Sequence, residues 1–240
     1  MKTKVFLLSL IVLLSFSDLV AQKKVCLISS GQHTKMKIVA AKAGLKLDHI
    51  SAYKTSEDLS QYTDFIILHR WGTVQSTWES KIYSKIKSGS KAVILIADMG
   101  GSYFDNIYSP FIDLFNVGVA AESVIKPKAN VVFNGEVYWD NWDGLKVGCP
   151  DYCQIASYLE PINESAKCIG SGFGSQTSGS KRCLSVEAKV GEGIVLIFIM
   201  PAPPRGSAGT TVNQTIIDDA QIDALDNKIA VQKIFEWMKY

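Results

Sequence analysis

The sequence predicts an α/β fold in which helices cover both faces of an open, mainly parallel sheet, as in flavodoxin-like three-layer proteins. Two observations predict it. First, short and almost wholly apolar runs occur at Asp64–His69, Lys91–Ala97 and Gly193–Met200. Such runs are typical of strands that are buried on both faces. Second, segments with helical spacing separate the early runs, and strands that alternate with helices need crossover connections, which build a parallel sheet.

The first half of the chain supplies the elements of this sheet. Its helical segments carry apolar residues three or four positions apart, as at Trp78, Ile82 and Ile86, and the first of them ends at Gly44. The predicted order is strand, helix, strand, strand, helix, strand and helix, at Lys24–Ser29, Thr34–Ala43, Leu45–Tyr53, Asp64–His69, Thr77–Lys87, Lys91–Ala97 and Phe104–Phe115.

The second half differs in amino-acid composition and in the length of its apolar runs. Residues 118–190 contain more Gly, Ser, Asn and Cys and have shorter apolar runs, which predicts an irregular, Cys-rich insert with small antiparallel strands, including Val131–Phe133 and Cys183–Val190. A proline-containing loop follows the strand at Gly193–Met200, and a terminal helix is predicted at Ile217–Tyr240. The predicted core stripe of that helix consists of Ile222, Leu225, Ile229, Ile234 and Met238.

Residues 1–21 have the layout of a secretory signal peptide. Lys2 and Lys4 form a positive start, Val5–Phe16 is an apolar run interrupted only by serine, and Ala21 offers a small residue for cleavage. The apolar run is too short to span a bilayer comfortably, although an uncleaved anchor is the alternative. We therefore expect a secreted protein, extracellular or periplasmic, with one domain at residues 22–240.

Composition limits the classes of partner. The chain is 47% hydrophobic and 20% charged, as in ordinary globular proteins. Without residues 1–21 the net charge is near neutral and no basic stripe remains, so nucleic acid and anionic membrane surfaces are not expected as partners. No second apolar stretch of membrane-spanning length follows, so no stable membrane span is expected after signal cleavage.

The cysteines predict disulfides. Their number, five, leaves at least one thiol outside a disulfide in an oxidising compartment, and Cys26, within an apolar strand, is the candidate for that thiol. We predict disulfides among Cys149, Cys153, Cys168 and Cys183, and the pairing Cys149–Cys153 with Cys168–Cys183 is one of three possibilities. Zinc binding is the alternative, but the spacing is unlike that of the common zinc ribbons, so we expect neither a metal nor a cofactor.

Polar side chains follow four of the predicted parallel strands. Ligands of open parallel sheets bind beyond the carboxyl ends of the strands, where the connections diverge. Asp98 and His69 follow neighbouring strands and are the candidate catalytic residues. The candidate ligand-binding residues lie in the same four connections: Ser30, Gly31, His33, Arg70, Trp71, Gly100, Gly101 and Arg205.

Each candidate also has a structural interpretation. His69 can end a strand with a hydrogen bond to the backbone, Asp98 can cap the next helix, and Arg70 can be a solvated side chain. His33 can be an ordinary surface residue before a helix. The turn at residues 29–31 can hold an anion at the helix start, but it is too short for a phosphate-binding motif.

An aromatic cluster is a second candidate surface. Aromatic faces beside carboxylates and amides suit sugars, which stack on rings and bond to polar groups. The structural interpretation, in which a tryptophan closes the core beneath an irregular loop, is the favoured one. The cluster consists of Tyr138, Trp139 and Trp142, alternating with Asp140, Asn141 and Asp143.

Three stretches carry a family resemblance: DFIILHRWGTVQSTWESKIYSKIKSGSKAVILIADMGG, SPFIDLFNVGV and GEGIVLIFIMPAPP. Together with the terminal helix, they resemble the class I glutamine amidotransferase-like superfamily, including its ThuA-like (trehalose-utilisation) branch. The likeness covers about two-thirds of residues 22–240. It implies this fold and a pocket at the strand ends that relatives use for small or sugar-like ligands.

The sequence departs from the family at the catalytic positions. The amidotransferases carry a cysteine nucleophile on a tight turn, where this chain has Ala97-Asp98-Met99-Gly100-Gly101, with Asp98 about where the cysteine would be. They also use a later His-x-Glu pair, whereas no histidine follows His69. A thiolate nucleophile needs a base to generate and orient it, so glutamine hydrolysis is not expected.

Three functions remain open from the sequence. The first is a secreted domain, non-catalytic or catalytically divergent, that binds a small molecule or carbohydrate at the strand ends. The second is a hydrolase that uses Asp98 and His69 in acid–base chemistry. The third is a structural or partner-binding protein of the cell surface, which contacts a protein through the Cys-rich insert.

Overall fold

The computed structural model describes residues 22–29, 31–51, 58–69, 76–98, 109–121, 132–134, 139–148, 157–173, 181–201, 216–217 and 219–240. In this part the chain forms an α/β fold with a mostly parallel, mixed seven-stranded sheet and helices on both faces. The predicted fold class is confirmed. The predicted signal peptide, residues 1–21, lies outside the described residues.

The elements follow one another in chain order. The helices are α1 (Thr34–Lys42), α2 (Ser76–Lys87), α3 (Ser109–Asp113) and α4 (Asn227–Lys239), and a 3₁₀ turn lies at Asp140–Trp142. The strands are β1 (Lys24–Ser29), β2 (Lys46–Ser51), β3 (Asp64–His69), β4 (Lys91–Asp98), β5 (Val117–Ala121), β6 (Val132–Asn134), β7 (Lys146–Gly148), β8 (Ser157–Pro161), β9 (Ala166–Phe173), β10 (Lys181–Val190) and β11 (Gly193–Pro201).

The main sheet has the strand order β2-β1-β3-β4-β11-β10-β9. The pairs from β2 to β11 are all parallel, whereas β10 pairs antiparallel with both β11 and β9. The central strands β3, β4 and β11 are rich in Val, Ile, Leu and Phe, and all of these residues are buried except Ile194, which is partly exposed. This burial explains why the apolar runs predicted the sheet so directly.

The crossovers put helices on opposite faces. The connection through α1 runs from β1 outward to β2, and the connection through α2 runs the other way, from β3 to β4. Since such crossovers are right-handed, α1 and α2 cover different faces of the sheet. The terminal helix α4 packs against α1 and therefore lies on the α1 side.

The bounds of two predicted helices differ from those in the structure. The helix predicted at Phe104–Phe115 corresponds to α3, which ends at Asp113, two residues earlier than predicted, and Asn116 then has a φ of 58°. Residues 104–108 lie outside the described residues. Of the helix predicted at Ile217–Tyr240, only α4 is helical, and residues 219–226 form turns. Leu225 and Ile229 from the predicted stripe are exposed. Ile222, Ile234 and Met238 from the same stripe are buried as predicted. Ala230, Val231 and Phe235 complete the buried face of α4.

The predicted insert is more regular than expected. Strands β9 and β10 extend the main sheet at one edge, and buried apolar residues alternate along β10 at Leu184, Val186, Ala188 and Val190. The small antiparallel strands predicted there also exist, as the pairs β5–β8 and β6–β7. The insert at residues 118–190 is therefore partly a continuation of the sheet.

The three cysteines that the structure describes agree with the prediction. A disulfide joins Cys168 of β9 to Cys183 of β10. Cys26 is buried in β1 and is not disulfide-bonded. Cys149 and Cys153 lie outside the described residues. Within the described ranges, no helix has both the length and the apolar character needed to cross a membrane.

Candidate functional site

The five parallel strands end side by side at one edge of the sheet, which we call the carboxyl edge. Their last residues are Ser29, Ser51, His69, Asp98 and Pro201. The register aligns Ser29 with Ser51, and Asp98 with Pro201. The four connections that carry the candidate residues therefore leave the sheet at a common edge, which is where open parallel sheets bind ligands.

The structure describes part of the candidate set. Gly31 is exposed, with a φ of 134° that a larger residue rarely adopts. His33 is buried, with 3% of its surface exposed, so it is not the surface residue that the structural interpretation offered. His69 and Asp98 are described by their backbone alone. The remaining candidates lie outside the described residues: Ser30, Arg70, Trp71, Gly100, Gly101 and Arg205.

Strand register relates the two candidate catalytic positions. His69 pairs with Ile96, and Asp98 lies two residues further along β4, so the positions of His69 and Asp98 share one face of adjacent strands. Ser29 belongs to the other face, because Leu27, two residues before it, pairs with Ile66 rather than Ile67. The carboxyl edge thus has two sides with different polar residues.

On the α1 side, three polar side chains meet at the end of β1. The Ser29 hydroxyl lies 2.6 Å from His33 Nε2 and 3.1 Å from His49 Nε2. His33 is the N-cap residue of α1, and His49 is partly exposed in β2. The two imidazole rings meet edge to face, with centroids 5.1 Å apart. Sequence reasoning named His33 but missed His49 and gave Ser29 no role of its own.

The partners of the two rings assign their tautomers. His33 Nδ1 lies 3.2 Å from the carbonyl oxygen of Ile217, so Nδ1 carries the hydrogen and Nε2 accepts from the Ser29 hydroxyl. His49 Nε2 lies 3.1 Å from the carbonyl oxygen of Ser29, so this nitrogen donates. Ser29 thus bonds to both histidines, accepting from His49 with its carbonyl and donating to His33 with its hydroxyl, and His33 in turn donates to Ile217.

The start of α1 holds an internal carboxylate. Asp219 accepts hydrogen bonds from the backbone N–H groups of Thr34, at 3.0 Å, and Lys35, at 2.8 Å. Such N–H groups at a helix start attract anions because they have no partner within the helix and lie at the positive end of its dipole. Asp219 therefore takes the position that the sequence offered to a bound anion.

On the α2 side, Glu79 is a buried acid that sequence reasoning missed. It lies in the first turn of α2, the helix that follows β3, and 8% of its surface is exposed. Burial raises the pKa of its carboxyl from 4.5 to about 7. The sequence carries no signal for this, because a glutamate near a helix start is normally a solvated residue that favours the dipole.

The raised pKa predicts a pH dependence of stability. Between pH 4.5 and about 7 the unfolded chain ionises Glu79 while the folded chain keeps the proton, so the free energy of unfolding falls as pH rises through this window. At 1.36 kcal/mol per pKa unit, and with allowance for partial solvation, Glu79 contributes roughly 1–3 kcal/mol to this fall. The Glu79→Gln variant should lose the contribution. Urea unfolding of both proteins at the two ends of the window measures it, and an equal fall in both would contradict the raised pKa.

Trp139 and Trp142, the predicted alternative sugar platform, belong to the core. Trp142 is 1% exposed and Trp139 7% exposed. The Trp142 ring stacks on Phe198 of β11 with centroids 4.9 Å apart, and its indole N–H donates to the carbonyl of Ala230 at 3.0 Å. The favoured structural interpretation is thus correct for both tryptophans, while Tyr138 lies outside the described residues. Among the described residues, no group of three or more His, Cys, Asp or Glu is placed to hold a metal ion.

Comparisons with known proteins establish the fold alone. No family model matches the chain, and no curated protein matches it. The structure is similar to the mmIFT52 N-terminal domain, with a TM-score of 0.60, 12% identity, and coverage of 90% of this chain and 97% of that one.

Two further likenesses are more distant. One is to a GMP synthase-type protein from Thermoplasma acidophilum, with a TM-score of 0.43, 9% identity, and coverage of 91% and 98%. The other is to a ThuA-like protein from Parabacteroides merdae, with a TM-score of 0.40, 11% identity, and coverage of 80% and 84%. At such identities and TM-scores, neither likeness says anything of the family or the activity of this chain.

Proposed function

We propose that this chain is a secreted domain of the glutamine amidotransferase-like superfamily, in its ThuA-like branch, that binds a small molecule or carbohydrate at the carboxyl edge without hydrolysing glutamine. The observation that carries the proposal is the common edge at which all five parallel strands end. Their connections supply binding residues from several parts of the chain to one place, as in other open α/β sheets.

Two features of the described residues support a polar ligand. On the α1 side, the partly exposed His49 is oriented by the Ser29 carbonyl, and so presents a fixed ring to the edge. On the α2 side, Glu79 has a pKa of about 7 and can exist in either protonation state near neutral pH. The Cys168–Cys183 disulfide supports export, since disulfides persist in oxidising compartments.

A hydrolase is the second candidate, and the strand register favours it over a purely structural role. The positions of His69 and Asp98 share one face of adjacent strands, which suits an acid–base pair. Here the sugar or small molecule would be consumed rather than retained. Chemical analysis of the ligand after incubation distinguishes the two: a binding domain returns it unchanged, whereas a hydrolase releases products, and this release stops in Asp98→Asn.

Binding is tested by thermal unfolding with a panel of monosaccharides, disaccharides and small organic acids. A ligand at a hundred times its dissociation constant stabilises the fold by about 2.7 kcal/mol, which raises the melting temperature by several degrees. We expect at least one sugar or acid to do so, and Trp71→Ala to remove the shift. Tyr240→Ala is the matched control, because Tyr240 is an exposed aromatic residue at the opposite edge of the sheet. A panel without any shift, or a shift that survives Trp71→Ala, would overturn the proposal.

A further inference from the structure

The turn between β8 and β9 carries a motif that the proposed function does not use. It reads Asn163-Glu164-Ser165, which is the acceptor motif for N-linked glycans, with a residue other than proline at its middle position. A glycan is a bulky, solvated group, so the motif can be used only where the asparagine lies at the surface of the folded protein. The structure describes every residue of this turn.

The asparagine of the motif is open to solvent. Asn163 and Glu164 are both exposed, and Ile162, just before them, is 63% exposed. The Asn163 side chain bonds through its oxygen, and within the described part of the chain its nitrogen Nδ2 makes no hydrogen bond. A glycan on Nδ2 would therefore displace no hydrogen bond of the described residues.

The asparagine and the serine that the motif specifies are in direct contact. Asn163 Oδ1 accepts hydrogen bonds from the backbone N–H of Ser165, at 2.9 Å, and from the Ser165 hydroxyl, at 2.7 Å. Both bonds use the amide oxygen. The turn can thus stay closed while Nδ2 carries a substituent.

The turn is also fixed to the body of the protein from two sides. The Asn116 side chain donates to the Ser165 hydroxyl at 3.0 Å, and the Asn116 carbonyl accepts from the backbone N–H of Ile162 at 2.9 Å. On the other side, the backbone N–H of Lys189 in β10 donates to the carbonyl of Ser165 at 2.7 Å. A glycan would therefore extend from an ordered part of the surface.

This turn lies at the edge of the sheet where the parallel strands begin. Ala166, the first residue of β9, pairs with Ala188 near the end of β10. Two residues later, Val190 pairs with Gly193, the first residue of the parallel strand β11. The turn is thus at the opposite edge from the candidate functional site, and a glycan there would leave the carboxyl edge open.

We propose that Asn163 is an N-glycosylation site, at which the chain receives an oligosaccharide during export from a eukaryotic cell. Asn163 Nδ2 forms a bond to C1 of an oligosaccharide that is carried on a lipid pyrophosphate. The bond from C1 to the pyrophosphate oxygen breaks, the lipid pyrophosphate leaves, and the amide gives up one proton. This inference rests on the proposed function only through export, since the oligosaccharide donor lies in the secretory pathway, and ligand binding has no part in it.

Mass spectrometry of protein secreted by cultured animal cells tests the site. The whole chain is expressed with Asn213→Gln, because Asn213-Gln214-Thr215 is a second copy of the motif, outside the residues that the structure describes. Peptides that contain Asn163 are compared before and after treatment with a peptide N-glycosidase, which releases the glycan and leaves aspartate. We expect most secreted molecules to carry a glycan at Asn163.

Three variants separate the motif from the turn. Asn163→Asp keeps the oxygen that accepts from Ser165 and removes only Nδ2, so it should be secreted and folded but should lose the glycan. Ser165→Ala should lose the glycan as well, whereas Ser165→Thr, which keeps a hydroxyl, should retain it. Circular dichroism of the secreted proteins checks their folding. A secreted parent protein without a glycan at Asn163, or a glycan that persists in Asn163→Asp, would overturn the proposal.

A second version of the chain separates the site from export. In it, residues 1–21 are replaced by the signal peptide of a protein that these cells are known to secrete. If only this version carries the glycan, the export in the proposed function is wrong and the site at Asn163 stands. If this version is secreted without a glycan at Asn163, the site is wrong, whatever residues 1–21 do.

Discussion

Replacing Trp142 with alanine should lower the free energy of unfolding by about 3–5 kcal/mol, the range for large aromatic residues removed from a core. The indole stacks on Phe198 at 4.9 Å and meets Trp139 edge to face at 5.7 Å. Alanine would leave a cavity between the sheet and α4, and the carbonyl of Ala230 would lose the indole N–H that it accepts from. Urea unfolding followed by circular dichroism measures the loss.

Two variants define the cause of this effect. Trp142→Phe keeps an aromatic ring against Phe198 but removes the indole N–H, so we expect a loss nearer 1–2 kcal/mol. Tyr240→Ala, at a position 91% exposed, should change stability by less than about 0.5 kcal/mol. The sugar-platform interpretation predicts the reverse pattern: Trp142→Ala would unfold like the wild type and would lose carbohydrate binding instead.

The fold was predictable because the sheet carries its own signal. Asp64–His69 was predicted with the bounds that β3 has, since a strand buried on both faces needs apolar residues at nearly every position. The start of the terminal helix was not predictable in this way. Asp226 accepts from the backbone N–H of Lys146 at 2.8 Å, and the buried Asn227 side chain bonds to Gly148 at 2.8 and 2.6 Å. These contacts with β7 fix the chain as turns up to residue 226.

The candidate site, like the fold, could be predicted only in part. The parallel sheet predicted that the strands would end at one edge, and the described strands do so; the gathering of the polar candidates there stays a prediction. The Ser29–His33–His49 chain did not follow, because it depends on the alignment of β2 with β1. In that register His49 lies beside Leu27, two residues before Ser29, whereas a shift by one residue would turn His49 to the other face. An ordinary strand pattern around His49 carries no sign of this.

Replacing Asp64 with alanine should cost about 2–4 kcal/mol, somewhat less than for a fully buried ion pair because the Lys23 side chain is 30% exposed. Asp64 is 2% exposed at the start of β3, where its carboxylate pairs with Lys23 at 2.5 Å and accepts from the backbone N–H of Lys91 at 2.7 Å. The two lysine ammonium groups in turn donate to the last carbonyls of α4, those of Met238 at 2.6 Å and Trp237 at 2.8 Å.

Charge accounts for the size of this effect. Burial lowers the pKa of Lys91, the nearby charge of Lys23 lowers it further, and the Asp64 carboxylate raises it. Without that carboxylate, the ammonium groups of Lys23 and Lys91 lie close together at the end of α4 with no negative charge between them. The backbone N–H of Lys91 also loses its acceptor. Asp64→Asn retains an acceptor oxygen, so we expect a smaller loss from it than from the alanine variant.

A double-mutant cycle on Asp64→Asn and Lys23→Met isolates the ion pair from the backbone hydrogen bond. We expect a coupling free energy of about 0.5–3 kcal/mol, which chemical denaturation of the four proteins measures. Asp58→Ala is the matched control, since Asp58 is an exposed aspartate that caps Ser60, and its loss should cost about 1 kcal/mol or less. Additive single effects would show that Lys23 and Asp64 act separately, and the cost of removing Asp64 would then come from its backbone hydrogen bond to Lys91 rather than from the ion pair.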